Sequence, residues 1–400
     1  MTEQVVVAGK NQIAIDVLEA VLARVDPDHV VAVPNRTDDG RTGWQPSFAR
    51  YAASRGVRVA TLDAVLAAPD QLFLSIEFDR IVVPSRFASS RLYNIHFSLL
   101  PKYRGVYTAI WPVWNGDDRA GVTLHVIDTG IDTGDVIAQR GFAVDATMTS
   151  RDVYLHCLQT GSQLVRDHLD ALVAGPPPTT RQPIQGATYH DRASIDWATL
   201  ELPTSVTAWQ LVNFVRAFTF PEYQVTRVDG LAIGRATALP QRSARKPGVI
   251  TDRGDGWVDV ATIDHDVRLT FAAQECLIDA ARQGDLDGLR RWRALGADVD
   301  RRGGHGWTAL HAAIYAGQTA ATELLLGEFG ADPNIGNFRG TRPLMCARSA
   351  PDRAAAALIV QRLLAAGADL HAPDEDGRDV IHYAEAEGTA DFLGRVRARL

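Results

Sequence analysis

Apolar residues in the first half of the chain come in short unbroken runs. Between the runs, they recur every three or four positions. Residues 5–8 form the first run. Gly9, Lys10 and Asn11 interrupt it, and Ile13, Val17, Leu18, Val21 and Leu22 then share one face of a helix expected over 13–25. Strand, turn and helix in this order open a doubly wound α/β layer, in which parallel strands are covered on both faces and so read as continuous apolar runs. The pattern continues with a strand over 30–33, a helix over 48–55, strands over 57–62 and 72–75, an apolar run at 81–83, and strands over 92–97 and 121–127. A long amphipathic helix over 150–173 is stopped by Gly175 and three prolines at 176–178.

The texture then changes twice. Residues 188–197 are polar and irregular. A short helix over 207–218 carries apolar Trp209, Leu211, Val212, Phe214 and Val215. Short strands are expected at 223–228, 231–236, 248–251, 256–261 and 267–271, separated by Gly/Asp turns, which makes a small β-rich unit. From Cys276 onward the chain repeats itself. Gly-Ala-Asp begins at 296, 330 and 367, spacings of 34 and 37 residues. Gly306-Trp307-Thr308-Ala309-Leu310-His311-Ala312-Ala313 is followed by weaker copies at 341–345 and 379–382. This period identifies about four ankyrin repeats, the outer two incomplete, with a small insertion at 352–356. His311 and His382 belong to the repeat signature and are expected to be structural. The expected domains are therefore 1–200, 201–272 and 273–400.

Composition changes this picture little. Four hundred residues suit two or three domains, and 46% hydrophobic with 22% charged residues is ordinary for a globular chain. A formal charge of −7 gives no electrostatic case for nucleic acid. The first ten residues lack the layout of a signal peptide, and no apolar run reaches membrane-spanning length. Cys157, Cys276 and Cys346 are isolated. They read as reduced thiols, and a cytoplasmic location without nucleic acid or membrane partners is expected.

The candidate chemistry lies between 94 and 135. Alternation along a strand puts Asn94 and His96 on the same side. An amide there can donate to a developing oxyanion, and an imidazole can take a proton near neutral pH. Residues 98–101 leave the strand as a turn stiffened by Pro101. The loop over 128–135 carries Gly130 and Gly134, and one of its carboxylates could orient the imidazole. Each feature alone also fits a structural role. The loop is not a calcium loop, because Gly130 stands where a ligand belongs and no glutamate follows at the right distance; no metal is expected. The first turn is neither a P-loop nor a GxGxxG turn, so Lys10 is either a solvated turn residue or part of a helix-entry phosphate site.

Taken together, Asn94-x-His96-x-Ser98-Leu99-Leu100-Pro101, Gly121-Val122-Thr123 and Asp128-x-Gly130-x-Asp132-x-Gly134-Asp135 resemble the 10-formyltetrahydrofolate-dependent formyltransferase family. The resemblance runs over roughly 4–270. It implies an α/β Rossmann-like formyltransferase domain and a small β-rich subdomain, which the repeats follow as an all-α ankyrin solenoid. It further implies Asn94, His96 and Asp132 as the catalytic set. Phe78, Arg80, Leu99, Pro101, Ile127 and Asp128 are the implied contacts of the folate, with plain core packing favoured for the Phe78 side chain. The polar loop over 35–47 and the phrase Leu74-Ser75-x-Glu77-Phe78-Asp79 resemble the nucleotide-sugar branch. That implies a dTDP-linked 3-amino-3,6-dideoxyhexose as acceptor, with 4-amino-4,6-dideoxyglucose next. Lys10, Asn35, Trp44, Glu77, Lys102, Tyr107, Phe220 and Tyr223 are its implied contacts, with core packing favoured for Phe220. The resemblance also implies a homodimer through the β-rich subdomain and an N-formyl sugar destined for a cell-surface glycan. The ankyrin face would bind a protein or a second nucleotide sugar, or only stabilise the chain. Two other readings stay open: an enzyme acting on methionyl-tRNA, and an ankyrin-based interaction protein carrying a formyltransferase-like domain.

Overall fold

The computed structural model describes residues 4–198 and 200–386. They form two compact units. The first holds the chain up to Arg41, Gln45–Leu200 and Arg216–Phe218; the second holds Thr42–Trp44, Glu201–Val215 and the chain from Thr219 on.

In the first unit the strands are β1 (Gln4–Gly9), β2 (Val30–Pro34), β3 (Arg58–Val59), β4 (Gln71–Ile76), β5 (Leu92–His96), β6 (Arg104–Gly105), β7 (Arg119–Val126), β8 (Val136–Ala143) and β9 (Tyr189–His190). Seven of them make one sheet in the order β3-β2-β1-β4-β5-β7-β8, while β6 and β9 pair separately. The pairs from β3 to β5 are parallel, and β5–β7 and β7–β8 are antiparallel. Strand β4 is buried along its whole length, and β1 and β2 along nearly all of theirs, as unbroken apolar runs require. The helices are α1 (Asn11–Leu22), α2 (Phe48–Ser54), α3 (Ile110–Trp114) and α4 (Ser150–Ala174), with α1 and α4 packed together.

Helix ends follow capping chemistry rather than apolar period. Helix α4 starts in a Thr149/Asp152 capping box and stops at Gly175. Helix α1 ends before 25, because Asp26 caps a separate 3-10 turn that begins at Pro27. The strand expected over 57–62 shrinks to the two residues of β3; Leu62 and Val65 are buried from a 3-10 turn instead. The apolar run at 81–83 forms no strand, and Ile81 is 73% exposed. Strand β8 lies at the sheet edge, where partial exposure blurs its apolar pattern.

The second unit contains α5 (Ala208–Ala217, whose last turn clusters with the first unit) and a five-stranded antiparallel sheet. Its strands, β10 (Arg227–Val228), β11 (Leu231–Arg242), β12 (Ile250–Gly254), β13 (Trp257–Val260) and β14 (His265–Phe271), lie in the order β10-β11-β14-β13-β12. The repeat helices follow: α6 (Ala273–Gln283), α7 (Leu286–Ala294), α8 (Ala309–Tyr315), α9 (Thr319–Gly327), α10 (Pro343–Cys346), α11 (Arg353–Ala365) and α12 (Val380–Ala386). The rest of the fourth repeat lies outside the described residues. His311 is structural. Its Nδ1 meets the Thr308 hydroxyl at 2.8 Å, and its Nε2 meets the Thr341 carbonyl of the next repeat at 2.9 Å. Burial drives its pKa down to about 4, so the ring is neutral.

The stretches read as a β-rich domain and an ankyrin domain bury one continuous apolar cluster. Ile233, Val267 and Leu269 of the sheet belong to it with Leu277 and Ile278 of α6, Leu289 of α7, and Leu310 and Ile314 of α8. Phe271 meets Trp292 edge-on at 5.9 Å, and the Ala272 amide donates to the Ala232 carbonyl at 2.8 Å. Cutting the chain after Phe271 therefore uncovers the sheet's apolar face. The truncated protein is expected to be insoluble or to melt several degrees lower by scanning calorimetry; a soluble product with unchanged Tm would show that the repeats are separable. Leu277→Ala should cost about 2–5 kcal/mol in denaturant unfolding.

Candidate active site

The antiparallel pairing of β5 with β7 sets Asn94 opposite His125 and His96 opposite Thr123. Thr123 fastens the following turn: its hydroxyl donates to the Ser98 carbonyl at 2.6 Å and accepts from the Leu100 amide at 3.1 Å and from Gln139 at 2.9 Å. The chain leaving β7 folds tightly back on itself. At Gly134 an added Cβ would sit 1.8 Å from the Val126 carbonyl oxygen. Asp128 turns its carboxylate inward, accepting from the Gly130 amide at 3.1 Å and the Thr133 hydroxyl at 2.7 Å. Asp132 follows with a left-handed φ of 52°, a conformation that costs about 1–3 kcal/mol when the surroundings impose it.

Four side chains converge there. Asn94 Nδ2 lies 3.1 Å from His125 Nε2 and 3.4 Å from Asp132 Oδ1. His96 Nδ1 lies 3.4 Å from Asp132 Oδ2, and His125 Nε2 lies 3.5 Å from Asp132 Oδ1. Asp132 Oδ2 also accepts from the Gly105 amide at 2.9 Å. Gly105 must be glycine: its φ is 93°, and a Cβ would sit 2.0 Å from the His190 carbonyl oxygen across the β6–β9 pair. Gln182 bridges the two sides. Its amide nitrogen donates to the carbonyls of Asp132 (2.9 Å) and Gly134 (2.7 Å), and its oxygen accepts from Arg104 at 2.7 Å.

The hydrogen bonds fix the proton positions. His96 Nε2 meets the Tyr103 carbonyl at 2.8 Å and must donate, which leaves Nδ1 as a lone pair facing the Asp132 carboxylate. Burial lowers the His96 pKa, partly opposed by the nearby Asp132 charge. Burial pushes Asp132 upward, yet the histidines and the Gly105 amide outweigh it and hold the carboxyl at about 2. These two shifts pull against each other, because part of what holds Asp132 low is an imidazolium that burial disfavours. The Gly105 amide lowers the carboxyl independently of that charge. The resting pair is thus a neutral imidazole facing a carboxylate, one proton short of a hydrogen bond.

The other sequence-selected residues fall into separate groups. Glu77 is half-buried, accepting from Tyr154 at 2.8 Å and from Asn11 at 3.2 Å. Burial raises its pKa, and the Lys10 charge is the largest opposing influence. Asn35 holds the same turn through the Glu77 carbonyl (2.9 Å) and the Asp79 amide (3.2 Å). Phe78 and Ile127, from different elements, pack on one apolar cluster that includes Phe73 and Leu92, and Arg80 lies 5.9 Å from the Phe78 ring. Leu99 lies against the backbone of Gly121 and Gly141. The Pro101 carbonyl accepts from the Thr188 amide at 3.3 Å. The Lys102 ammonium is 2.6 Å from Asp117, and the Tyr107 hydroxyl accepts from Trp197 at 3.1 Å. Trp44, Phe220 and Tyr223 meet one another in the second unit, with ring centroids 4.8–5.8 Å apart. Sequence reasoning missed His125, Gly105, Gln182 and Tyr154. His125 carried a signal, since it alternates correctly on a strand that had to pair beside Asn94; Gln182 carried none.

A formyl transferase family model matches residues 16–169, and an ankyrin-repeat model matches 277–326. An N-formyltransferase from Helicobacter canadensis, solved with folinic acid and dTDP-3-aminofucose, is 33% identical, with a TM-score of 0.63 over 68% of this chain and all of that one. The chain belongs to the formyltransferase family. WlaRD, a sugar 3N-formyl transferase crystallised with dTDP and 5-N-formyl-THF, is 31% identical at a TM-score of 0.63 over 98% of its length. The methionyl-tRNA formyltransferase of Bordetella parapertussis is 35% identical over 173 residues, and this chain spans 55% of its length. That of Paraburkholderia phytofirmans is 31% identical over 237 residues, 70% of its length. Among the described residues no helix is long and apolar enough to cross a membrane, and no group of three or more His, Cys, Asp or Glu could hold a metal ion.

Gly134→Ala should displace the loop that carries Asp132. We expect a lower Tm and at least a tenfold loss of activity with the fold retained by circular dichroism. An unchanged enzyme would show that the Val126 contact relaxes freely.

Proposed function

We propose that the chain transfers a formyl group from 10-formyltetrahydrofolate to the amine of a dTDP-linked amino-dideoxyhexose, with 3-amino-3,6-dideoxyhexoses favoured and 4-amino-4,6-dideoxyglucose next. The convergence of Asn94, His96 and Asp132 within 3.4 Å carries the reading. Support comes from relatives matched along essentially their whole length that were crystallised with dTDP or a dTDP-amino sugar and a formylated folate. Phe78 and Ile127, both partly buried against one apolar cluster, offer apolar contact to a flat pterin ring, whose formylated form supplies the one-carbon unit.

Asn94 donates an N–H to the formyl oxygen as charge builds there; one such donor is worth about 100- to 1000-fold in rate. The amine nitrogen bonds to the formyl carbon, and the bond from that carbon to the folate nitrogen breaks. His96 Nδ1 takes the amine proton, and Asp132 steadies the resulting imidazolium at 3.4 Å. The proton then passes to the departing folate nitrogen, so the imidazole ends as it began. Such proton transfer contributes roughly 100- to 10000-fold.

The rest of the reading follows the sugar branch. It comprises a cytoplasmic homodimer joined through the β-rich segment, a product destined for a cell-surface glycan, and a partner for the repeats. That partner is a protein, which the ankyrin-repeat match supports, or a second nucleotide sugar.

Asn94→Ala, His96→Asn and Asp132→Asn should each nearly abolish formyl gain, read by mass spectrometry on dTDP-3-amino- and dTDP-4-amino-dideoxyhexoses, with methionyl-tRNA in the same panel. Transfer to the tRNA alone would replace the sugar reading. Because burial holds His96 below its ordinary pKa of 6.5, its basic form persists through neutral pH. The His96 limb of kcat/KM should therefore lie below about pH 6.5, and any rise above it belongs to deprotonation of the attacking amine. Folding stability should likewise weaken as pH falls below 6.5, since the unfolded ring binds the proton more readily. An alkaline fall in rate with no acid limb would remove His96 as the base.

A further inference from the structure

We propose that His125 is a positioning residue that sets the orientation of the Asn94 amide. The inference rests on the formyl-transfer reading for its rate consequences, but not for its geometry. His125 is 2% exposed, and its Nδ1 lies 2.8 Å from the Val126 carbonyl, an acceptor only. Nδ1 must therefore carry a proton, and in the neutral ring Nε2 is then a lone pair aimed at Asn94 Nδ2, 3.1 Å away. Asp132 Oδ1, the other neighbour of that nitrogen at 3.4 Å, is also an acceptor. An Asn94 amide turned the other way would set its oxygen against a lone pair and a carboxylate. Nδ2 therefore faces these two groups, and the orientation is held from both sides.

The same three atoms decide how much of the amide stays free. Asn94 Nδ2, His125 Nε2 and Asp132 Oδ1 are 3.1, 3.4 and 3.5 Å apart, a nearly equilateral triangle. The two acceptors thus subtend roughly 60° at the nitrogen, whereas the two N–H bonds of a planar amide diverge by about 120°. One hydrogen, shared between them, serves both, and the second N–H is left to point elsewhere. That second N–H is the donor a formyl oxygen needs. Asp132 alone could hold the first hydrogen at 3.4 Å only loosely; the shorter bond to His125 fixes the rotation of the amide plane.

His125→Leu removes the acceptor at similar bulk, and His125→Gln restores an acceptor at the position of Nε2. We expect His125→Leu to lower kcat about 10- to 100-fold, with KM for both substrates within about twofold, as a misplaced group does. His125→Gln should recover most of that loss. In the Asn94→Ala background the same His125→Leu change should cost less than about twofold, because there is no amide left to orient. Equal losses in the two backgrounds, or an effect confined to KM, would overturn the proposal. Imidazole ¹⁵N resonances of the full chain give a readout without turnover: an Nδ1–H tautomer with Nε2 unprotonated is expected, and the opposite tautomer would sink the idea. A wild-type protein that formylates no amine would defeat the functional reading, and the tautomer and the Asn94 side-chain amide shift in His125→Leu would still judge the positioning.

Discussion

The antiparallel pairing of β5 with β7 is the constraint on which the rest of the site depends. It is the point where a parallel sheet changes direction. A parallel neighbour would have required a crossover before β7; an antiparallel one brings the chain back beside β5 and releases it, after Val126, next to Asn94 and His96. The carboxylate of Asp132 needs only six residues of loop to reach both. A slip of one residue would turn Asn94 and His96 to the opposite face, so the register and the chemistry are one requirement. Thr123 pins that register to the turn beyond β5 through three hydrogen bonds.

What makes the site expensive is its polarity. Histidines, a carboxylate and an amide are brought together at low exposure, and each must find partners to repay lost hydration. The backbone repays much of it. Carbonyls of Tyr103 and Val126 take the committed imidazole protons, and the Gly105 amide feeds Asp132. The chain adopts left-handed conformations at Tyr103, Tyr107 and Asp132, and at Asn11 and Glu77 beside the first turn. Such residues cluster where surrounding structure over-determines the backbone, and here they surround the candidate chemistry. Gln182 ties the two strained segments together with a side chain that leaves no polar atom idle.

The second unit works by a different economy. A five-stranded sheet has two faces, and a short chain segment cannot cover both by itself. Helix α6 supplies the missing cover, and each further repeat covers the apolar face of the one before. The repeats are therefore stacked on the sheet as the sheet's own core, and His311, neutral and buried, carries a hydrogen bond from its repeat to the next.

By itself the sequence determined whatever is written in local chemistry. Unbroken apolar runs marked β1, β2 and β4, because burial on both faces leaves no polar positions to interrupt them. The repeat period marked the ankyrin helices, because each copy solves the same packing problem. Asn94, His96 and the glycine-rich loop were legible because alternation on a strand and close backbone approach each leave a residue signature. Only the tertiary structure decided the rest. The short strand β3 follows from its place at the sheet edge, which no local window contains. His125 became part of the site through its partner across the strand pair, and Gln182 through a contact 50 residues from Asp132. Those roles are set by distance in space, between groups whose own neighbours in sequence say nothing of each other.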